Sequence, residues 1–148
     1  MNASDPAAEP VRFAEIRTNP LSADEMIAAV SGPAYGGVVV FLGNVRDHDE
    51  GRDVSTLDYS AHPSAAAELT RVVSEVGAAA PGVALAAVHR VGELAVGDIA
   101  VIVAAAAGHR DEAFEVGRLL IDRIKAEVPL WKRQQFSDGD HEWVGAGG

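Results

Sequence analysis

The apolar residues of this chain follow two different spacings, and the switches between them constrain its fold more than any other feature. Gly36–Val45 is a run of β-branched and aromatic residues typical of a buried strand. Asp111–Glu127 instead places its apolar residues along one side of a helix. Over the whole chain, these patterns predict the element order βαββαββαββ. In a chain of 148 residues, that order favours a single α+β domain with a mostly antiparallel sheet and about three helices.

Capping and turn residues set the limits of the predicted elements. Ser22–Glu25 has the pattern of a capping box and predicts a short helix after it, and Pro81–Gly82 ends a second helix over 65–80. The predicted strands cover residues 11–18, 36–45, 54–60, 83–91, 98–107, 131–136 and 141–144. We expect them to pair as 36–45 with 54–60 around a polar loop, 83–91 with 98–107 around the turn 92–97, and 131–136 with 141–144.

The N-terminal segment differs from the rest of the chain. Residues 1–10 are acidic and contain two prolines, so we expect a disordered leader followed by one domain over 11–148. The segment lacks the basic and apolar regions of a signal peptide. The longest apolar run, Ile99–Ala107, has nine residues and is too short to span a bilayer. A cytoplasmic protein is therefore expected.

Composition excludes several functions. The formal net charge is −10, which argues against broad binding of nucleic acid or anionic membranes, because both need a basic face. The chain has no cysteine, so it carries no disulfide, no thiolate metal site, no cysteine nucleophile and no persulfide. The histidines at 48, 62, 89 and 141 lack the spacing of metal ligands. We predict neither a metal nor a cofactor.

Positive charge is concentrated near the end of the chain. Residues 117–136 carry five basic and two acidic residues, a net of +3, whereas residues 1–108 carry 6 basic and 14 acidic residues, a net of −8. The basic segment includes both lysines of the chain, Lys125 and Lys132. A local basic segment in an acidic protein is consistent with a site for a small anion. The alternative is a solvated helix face whose cations form ordinary ion pairs, such as Arg118 with Asp122.

Other cations occupy positions where strands end. His109 and Arg110 lie between a predicted strand and a helix, where free backbone N–H groups and the helix dipole attract phosphate. The acidic residues that follow could instead satisfy that helix end. Arg46 follows the strand 36–45, where the chain leaves the sheet. It is a candidate for the anion site, or it is a surface arginine paired with a neighbouring aspartate. Lys132 lies between Trp131 and Arg133, where burial and nearby cations would lower its pKa, or it extends from a strand edge with its stem over Trp131.

Four segments resemble the large, catalytic subunit of molybdopterin synthase, and they occur in the order and with the gaps of that family. They are Gly37–Arg46, His89–Asp98, Ala107–Phe114 and Ile124–Arg133. The resemblance extends from about residue 12 to residue 144. It implies an α/β-hammerhead-like fold and a sulfurtransferase that makes molybdopterin, the dithiolene ligand of the molybdenum cofactor, from cyclic pyranopterin monophosphate.

The resemblance also implies partners. Two sulfurs arrive on a small ubiquitin-like subunit whose C-terminal Gly-Gly carries a thiocarboxylate, which agrees with a chain that has no cysteine of its own. Two large subunits form a central homodimer with one small subunit at each end, giving a heterotetramer. The pocket draws on both large chains.

The resemblance assigns site residues one by one. Lys125 and Lys132 match the family's catalytic lysines, whose roles are attack on the acyl group of the small subunit or acid/base assistance to sulfur addition. The positions that match substrate-binding residues are Asn44, Val45, Arg46, His109, Arg110, Arg133 and Gln134. Some relatives carry a carboxylate where Gln134–Gln135 stands, which leaves the role of an acid there open.

Two other functions are compatible with the residues alone. The same cations could serve a non-catalytic phosphate- or nucleotide-binding module. The chain also ends in Gly147–Gly148, as ubiquitin-like carriers do, so it could carry sulfur or an acyl group through Gly148. The alternative for this last feature is a glycine-rich end without a role.

Overall fold

The computed structural model describes residues 9–49 and 51–145. These residues form three helices and nine strands. The helices are α1 (Ala23–Val30), α2 (Ala65–Ala79) and α3 (Arg110–Glu127). The strands are β1 (Val11–Arg17), β2 (Gly37–Asn44), β3 (His48–Asp49), β4 (Arg52–Ala61), β5 (Ala84–Arg90), β6 (Gly92–Ala95), β7 (Ile99–Ala107), β8 (Leu130–Phe136) and β9 (His141–Gly145). Residues 1–8 of the predicted leader and Gly147–Gly148 lie outside the described residues.

A four-stranded sheet in the order β1-β5-β7-β2 forms the centre of the domain. The β1–β5 pair is parallel, and the pairs β5–β7 and β2–β7 are antiparallel. Alternate side chains of β7 enter two different cores, since Val103 packs with residues of α2 and α3 while Ile102 packs with residues of α1. Helices therefore cover both faces, which explains why the run Ile99–Ala107 is apolar without interruption.

A second sheet has the strand order β3-β4-β8-β9, with β6 also paired to β4. Its β8 strand has one inward face, on which Leu130, Gln134 and Phe136 are buried and Lys132 is half-buried. The hairpin of β8 and β9 is confirmed, with Gly139 at a φ of 91° in its turn. This left-handed conformation favours glycine.

The predicted hairpin of residues 36–45 and 54–60 is wrong. Strand β2 pairs with β7 in the first sheet, and β4 pairs with β8 in the second, so the polar connection crosses between sheets. The physical reason is that β2 carries apolar side chains in succession and suits the helix-covered sheet, whereas β4 buries Val54 and Leu57 on one face. The strands therefore form two sheets, and not the single sheet expected from the sequence.

The connection between β5 and β7, over residues 92–97, contains a strand in addition to the turn expected from the sequence. The antiparallel pairing of β5 with β7 is confirmed, but Gly92–Ala95 within the connection is the strand β6, paired to β4. Likewise, the polar loop over 47–53 contains β3 and the start of β4. Both short strands were missed because they lie between glycine- and aspartate-rich turns.

The helices begin and end close to the predicted limits. Ser22 is the N-cap of α1, and its Oγ accepts a hydrogen bond from the backbone N–H of Glu25 at 3.2 Å. Helix α3 stops at Glu127, and the backbone N–H of Val128 closes its last turn on the carbonyl of Ile124 at 3.0 Å. The predictions of an α+β fold, mostly antiparallel pairing and three helices are confirmed over the described residues. Within them, no helix is long and apolar enough to cross a membrane.

Candidate active site

A cavity of about 460 Å³ lies where the end of β2, the last turns of α3 and the inward face of β8 meet. Its walls combine apolar side chains with a cluster of ionisable groups. The lining residues are Phe41, Leu42, Gly43, Asn44, Val45, Arg46, His48, Asp49, Leu57, Tyr59, His89, Ala100, Val101, Ile121, Ile124, Lys125, Val128, Leu130, Lys132 and Gln134.

Both lysines of the chain line this cavity. Lys125 lies in the last turn of α3, and Lys132 lies on β8. The helix stops before Pro129, so the chain reverses into β8 within a few residues. The alternation of side chains along a strand then turns Lys132 and Gln134 to the same face. Two amines that are seven residues apart in sequence therefore face one cavity from two elements.

The surroundings of Lys132 lower its pKa from the ordinary value. Burial of the half-exposed amine is the largest cause, and the charges of Lys125 and Arg46 act in the same direction, while those of Asp49 and Glu142 act against it. The expected direction for this amine is confirmed. The alternative placement, with the stem of Lys132 over Trp131, does not occur, because Trp131 lies on the opposite face of β8 and is 52% exposed.

The other residues expected from the end of β2 also line the cavity. Asn44 ends the strand, and Val45 is buried, with its backbone N–H bonded to the carbonyl of Asp98 at 2.9 Å. Arg46 is largely exposed, and its Nη2 lies 3.4 Å from Oδ1 of Asp49. Arg46 is thus both a wall of the cavity and the partner of a neighbouring aspartate.

Gln134 is one of two buried polar or charged residues in the described chain, with an exposed fraction of 3%. Its Nε2 donates a hydrogen bond to Oδ2 of Asp49 at 2.9 Å. The bond links the inward face of β8 to the short strand β3. An amide therefore stands at this position, and the nearby carboxylate comes from another strand.

Three of the residues expected at the site lie elsewhere in a single chain. His109 and Arg110 line a second cavity of about 320 Å³ with Asp111, at the first turn of α3. Lys125 follows Arg110 by fifteen positions along α3, which is a rise of roughly 22 Å along the helix axis. Arg133 lies on the outer face of β8, with its guanidinium 5.5 Å from the ring centroid of Trp143. One chain brings the lysines together with Arg46 but not with these three residues.

His89 and Tyr59 are cavity residues that the sequence did not single out as site residues. His89 is 6% exposed, and its ring meets that of Tyr59 edge-on with centroids 4.9 Å apart. Its Nδ1 lies 2.8 Å from the carbonyl oxygen of Arg90. A carbonyl can only accept, so Nδ1 carries the proton. Burial, followed at smaller weight by the charge of Lys125, lowers the pKa of His89 to about 4, which keeps the ring neutral at physiological pH.

The remaining cations of the basic segment form ion pairs away from the cavity. Arg118 lies 3.7 Å from Asp122 on the exposed side of α3, as the alternative interpretation of this segment predicts. Arg123 contacts Glu127 and Glu75, each at 2.6 Å, and so ties α3 to α2. The solvated-face interpretation thus holds for these arginines but not for the two lysines.

The fold and the cavity define a class of protein, a small α+β protein with a pocket lined by two lysines and an arginine. Three cationic side chains surround the space, and a planar guanidinium suits phosphate or carboxylate. An amine whose pKa is lowered can act as a nucleophile or transfer protons near neutral pH. The apolar walls have room for a ring of small-molecule size.

Comparison with known proteins names the family. The sequence model described as MoaE protein matches residues 16–127. Catalytic subunit 1 of molybdopterin synthase from Mycobacterium tuberculosis is 47% identical over 134 residues, which cover 90% of each chain. The catalytic subunit from Staphylococcus carnosus is 38% identical over 132 residues, covering 88% of this chain and 87% of its own. The chain belongs to the MoaE protein family.

Solved structures agree with this assignment. The crystal structure of molybdopterin synthase from Staphylococcus aureus superposes with a TM-score of 0.83 at 34% identity, covering 89% of this chain and 96% of the other. The family expected from the four sequence segments is therefore confirmed. The names of the relatives favour an enzyme over a non-catalytic phosphate-binding module.

Proposed function

We propose that this protein is the catalytic subunit of a molybdopterin synthase. It transfers two sulfurs from the thiocarboxylated C-terminus of a small ubiquitin-like subunit to cyclic pyranopterin monophosphate, forming the dithiolene of molybdopterin. The sulfur comes from the partner because this chain has no cysteine on which to carry it. The cytoplasm is the compartment we propose for the reaction.

The observation that carries the proposal is that Lys125 and Lys132 face one cavity with Arg46. The tail of the small subunit enters as an extended peptide and presents its thiocarboxylate to the lysines. A neutral amine attacks an acyl carbon, whereas an ammonium donates a proton to a leaving or adding group. Both roles fit an amine whose pKa is lowered by burial and neighbouring cations.

Asn44, Val45, Arg46 and Gln134 are proposed as the walls that hold the pterin. Arg46 offers a guanidinium to the anionic substrate. Asn44 and Gln134 supply amide groups of the kind that orient a polar ring. The phosphate requires further cations, and we assign these to His109, Arg110 and Arg133.

A second copy of the chain would bring these cations to the cavity, in a homodimer that forms the core of a heterotetramer. Strand β2 is an edge of the first sheet, and Val38, Phe41 and Leu42 on it are each 40% exposed. Such an apolar edge is typical of a surface that is covered in an assembly. Phe41 and Leu42 also line the cavity, so a copy that packs there lies next to the site.

A subunit-mixing experiment tests the shared site. Arg110→Ala and Lys132→Ala homodimers should each lose most turnover. Mixed after partial dissociation, they should regain activity, because a hybrid dimer contains one site with both residues intact. Arg118→Ala is the matched control, since Arg118 is an exposed cation of the same segment, paired with Asp122. Two inactive homodimers that stay inactive in verified hybrids would contradict a shared site.

The terminal glycines have no role in this proposal. Deleting Gly147–Gly148 should leave turnover nearly unchanged when a thiocarboxylated small subunit is supplied. A carrier that acts through Gly148 would lose all activity on the same deletion. Mass spectrometry of the pterin product distinguishes the two outcomes.

A further inference from the structure

We propose that Asp49 is a positioning residue for Lys132, and that its carboxylate, held by Gln134 and Arg46, is the counter-charge that favours the ammonium form of this lysine. The role of Lys132 in turnover rests on the proposed function, whereas the effect of Asp49 on the amine does not. The carboxylate near Lys132 thus lies on β3, and position 134 on β8 carries an amide instead.

The carboxylate of Asp49 is fixed from two sides. Oδ2 accepts a hydrogen bond from Nε2 of Gln134 at 2.9 Å, and Oδ1 lies 3.4 Å from Nη2 of Arg46. The side chain of Asp49 is 28% exposed, and that of Gln134 is almost fully buried. An amide N–H₂ and a guanidinium can only donate, so both oxygens of the Asp49 side chain act as acceptors in these contacts. A buried amide that cannot turn to solvent holds the carboxylate toward the cavity.

Without Asp49, the charged residues that line the cavity with Lys132 would all be cationic. Lys125 faces it from α3, and Arg46 faces it from the segment after β2. Asp49 is the one carboxylate among the described residues that line the cavity. Glu142 on β9 also acts on Lys132, but more weakly than Asp49, and it is exposed.

The other titratable residues that line the cavity are His48, Tyr59 and His89, and none of them supplies a carboxylate in place of Asp49. His48 has its Nδ1 2.7 Å from Oδ1 of Asp47. Tyr59 is opposite Lys132 in the β4–β8 pair, and burial raises the pKa of its hydroxyl. His89, on β5, is neutral because burial lowers its pKa to about 4. Asp49 is thus the main group that favours an ammonium at position 132, against burial and two cations.

Replacement of Asp49 by asparagine removes the charge but keeps the shape and an oxygen that accepts from Gln134. The amine of Lys132 should then lose its proton at lower pH, since an opposite charge is gone while the like charges stay. The midpoint for loss of the proton should therefore fall. Asp49→Glu should return it toward the wild-type midpoint.

Competitive labelling measures this directly. The folded protein is treated with a trace of acetic anhydride over a range of pH, and mass spectrometry follows acetylation of the peptide that contains Lys132. The chain has only two lysines, so the signal is simple to assign. Asp47→Asn is the matched control, because Asp47 lies in the same segment, is exposed, and does not line the cavity.

The same shift should appear in turnover. The limb of the pH–rate profile that depends on Lys132 should move to lower pH in Asp49→Asn, whether the lysine acts as a base, a nucleophile or an acid. An unchanged or raised labelling midpoint in a folded Asp49→Asn protein, or an equal fall in Asp47→Asn, would overturn the proposal. Failure of the enzyme assay alone would count against the proposed function and leave the labelling result to decide the role of Asp49.

Discussion

Buried, neutral His89 makes the stability of this protein depend on pH. The pKa of His89 falls from the ordinary 6.5 to about 4 in the folded chain, chiefly because the ring is buried. The unfolded chain takes up a proton near pH 6.5, whereas the folded chain resists protonation until about pH 4. The unfolded state therefore binds more protons between these values, and the free energy of unfolding decreases as the pH falls through that window.

The size of the effect follows from the same two values. Each pH unit corresponds to about 1.4 kcal/mol, so the interval from 6.5 to about 4 gives a total loss of about 3 kcal/mol. At pH 5 the loss should be about 2 kcal/mol. Above pH 6.5 the full stability is present, because the ring is neutral in both states.

Urea unfolding of the wild type and His89→Gln at about pH 7 and about pH 5 isolates this contribution. Glutamine does not titrate, so the wild type should lose about 2 kcal/mol more than the variant between the two pH values. His141→Gln controls for the loss of a histidine at an exposed position. Equal losses in the wild type and His89→Gln would mean that the buried ring titrates as it does in the unfolded chain and contributes nothing to the pH dependence of stability.

Four further substitutions, one of them a comparison for another, test how the fold positions the site. Gly36→Ala should lower the free energy of unfolding, measured in thermal melts, by about 1–3 kcal/mol, because its Cβ would lie 2.6 Å from the carbonyl oxygen of Gly108. Gly108→Ala is the comparison: its Cβ would meet nothing within 4 Å, so it should cost much less in the same melts. Leu120→Ala, at a fully buried position of α3, should cost about 2–5 kcal/mol in urea unfolding, and a smaller loss would mean that the core relaxes around it. Ser22→Ala removes the N-cap of α1 and should lower the free energy of unfolding by about 1 kcal/mol, with no change in turnover. A loss of turnover at unchanged stability would contradict a purely structural role for Ser22.

Local patterns predicted most elements of this fold but not how two of the strands pair. The runs over β5, β7 and α3 are long and regular, so their periodicity identifies each element without reference to the rest. The pairing of β2 depends on β7, which lies more than fifty residues later in the chain. Residue spacing contains no signal that separates this distant partner from the nearer β4.

The site shows the same division between local and distant information. Lys125 and Lys132 are close in sequence, and in the folded chain the stop at Pro129 and the alternation along β8 turn both toward one space. Asp49 was missed as a site residue because it lies in a polar loop, where an aspartate is ordinary. Its contact with Gln134 joins residues 85 apart, and only the folded chain reveals it.

Reconstituted turnover measures whether Lys125 and Lys132 carry out sulfur transfer. The full chain is mixed with thiocarboxylated small subunit and cyclic pyranopterin monophosphate, and mass spectrometry follows the pterin. The product should have gained two sulfurs, and most of it should be lost in folded Lys125→Ala and Lys132→Ala proteins but not in Arg118→Ala. Wild-type amounts of the dithiolene product in both lysine variants would rule out catalysis by the two lysines.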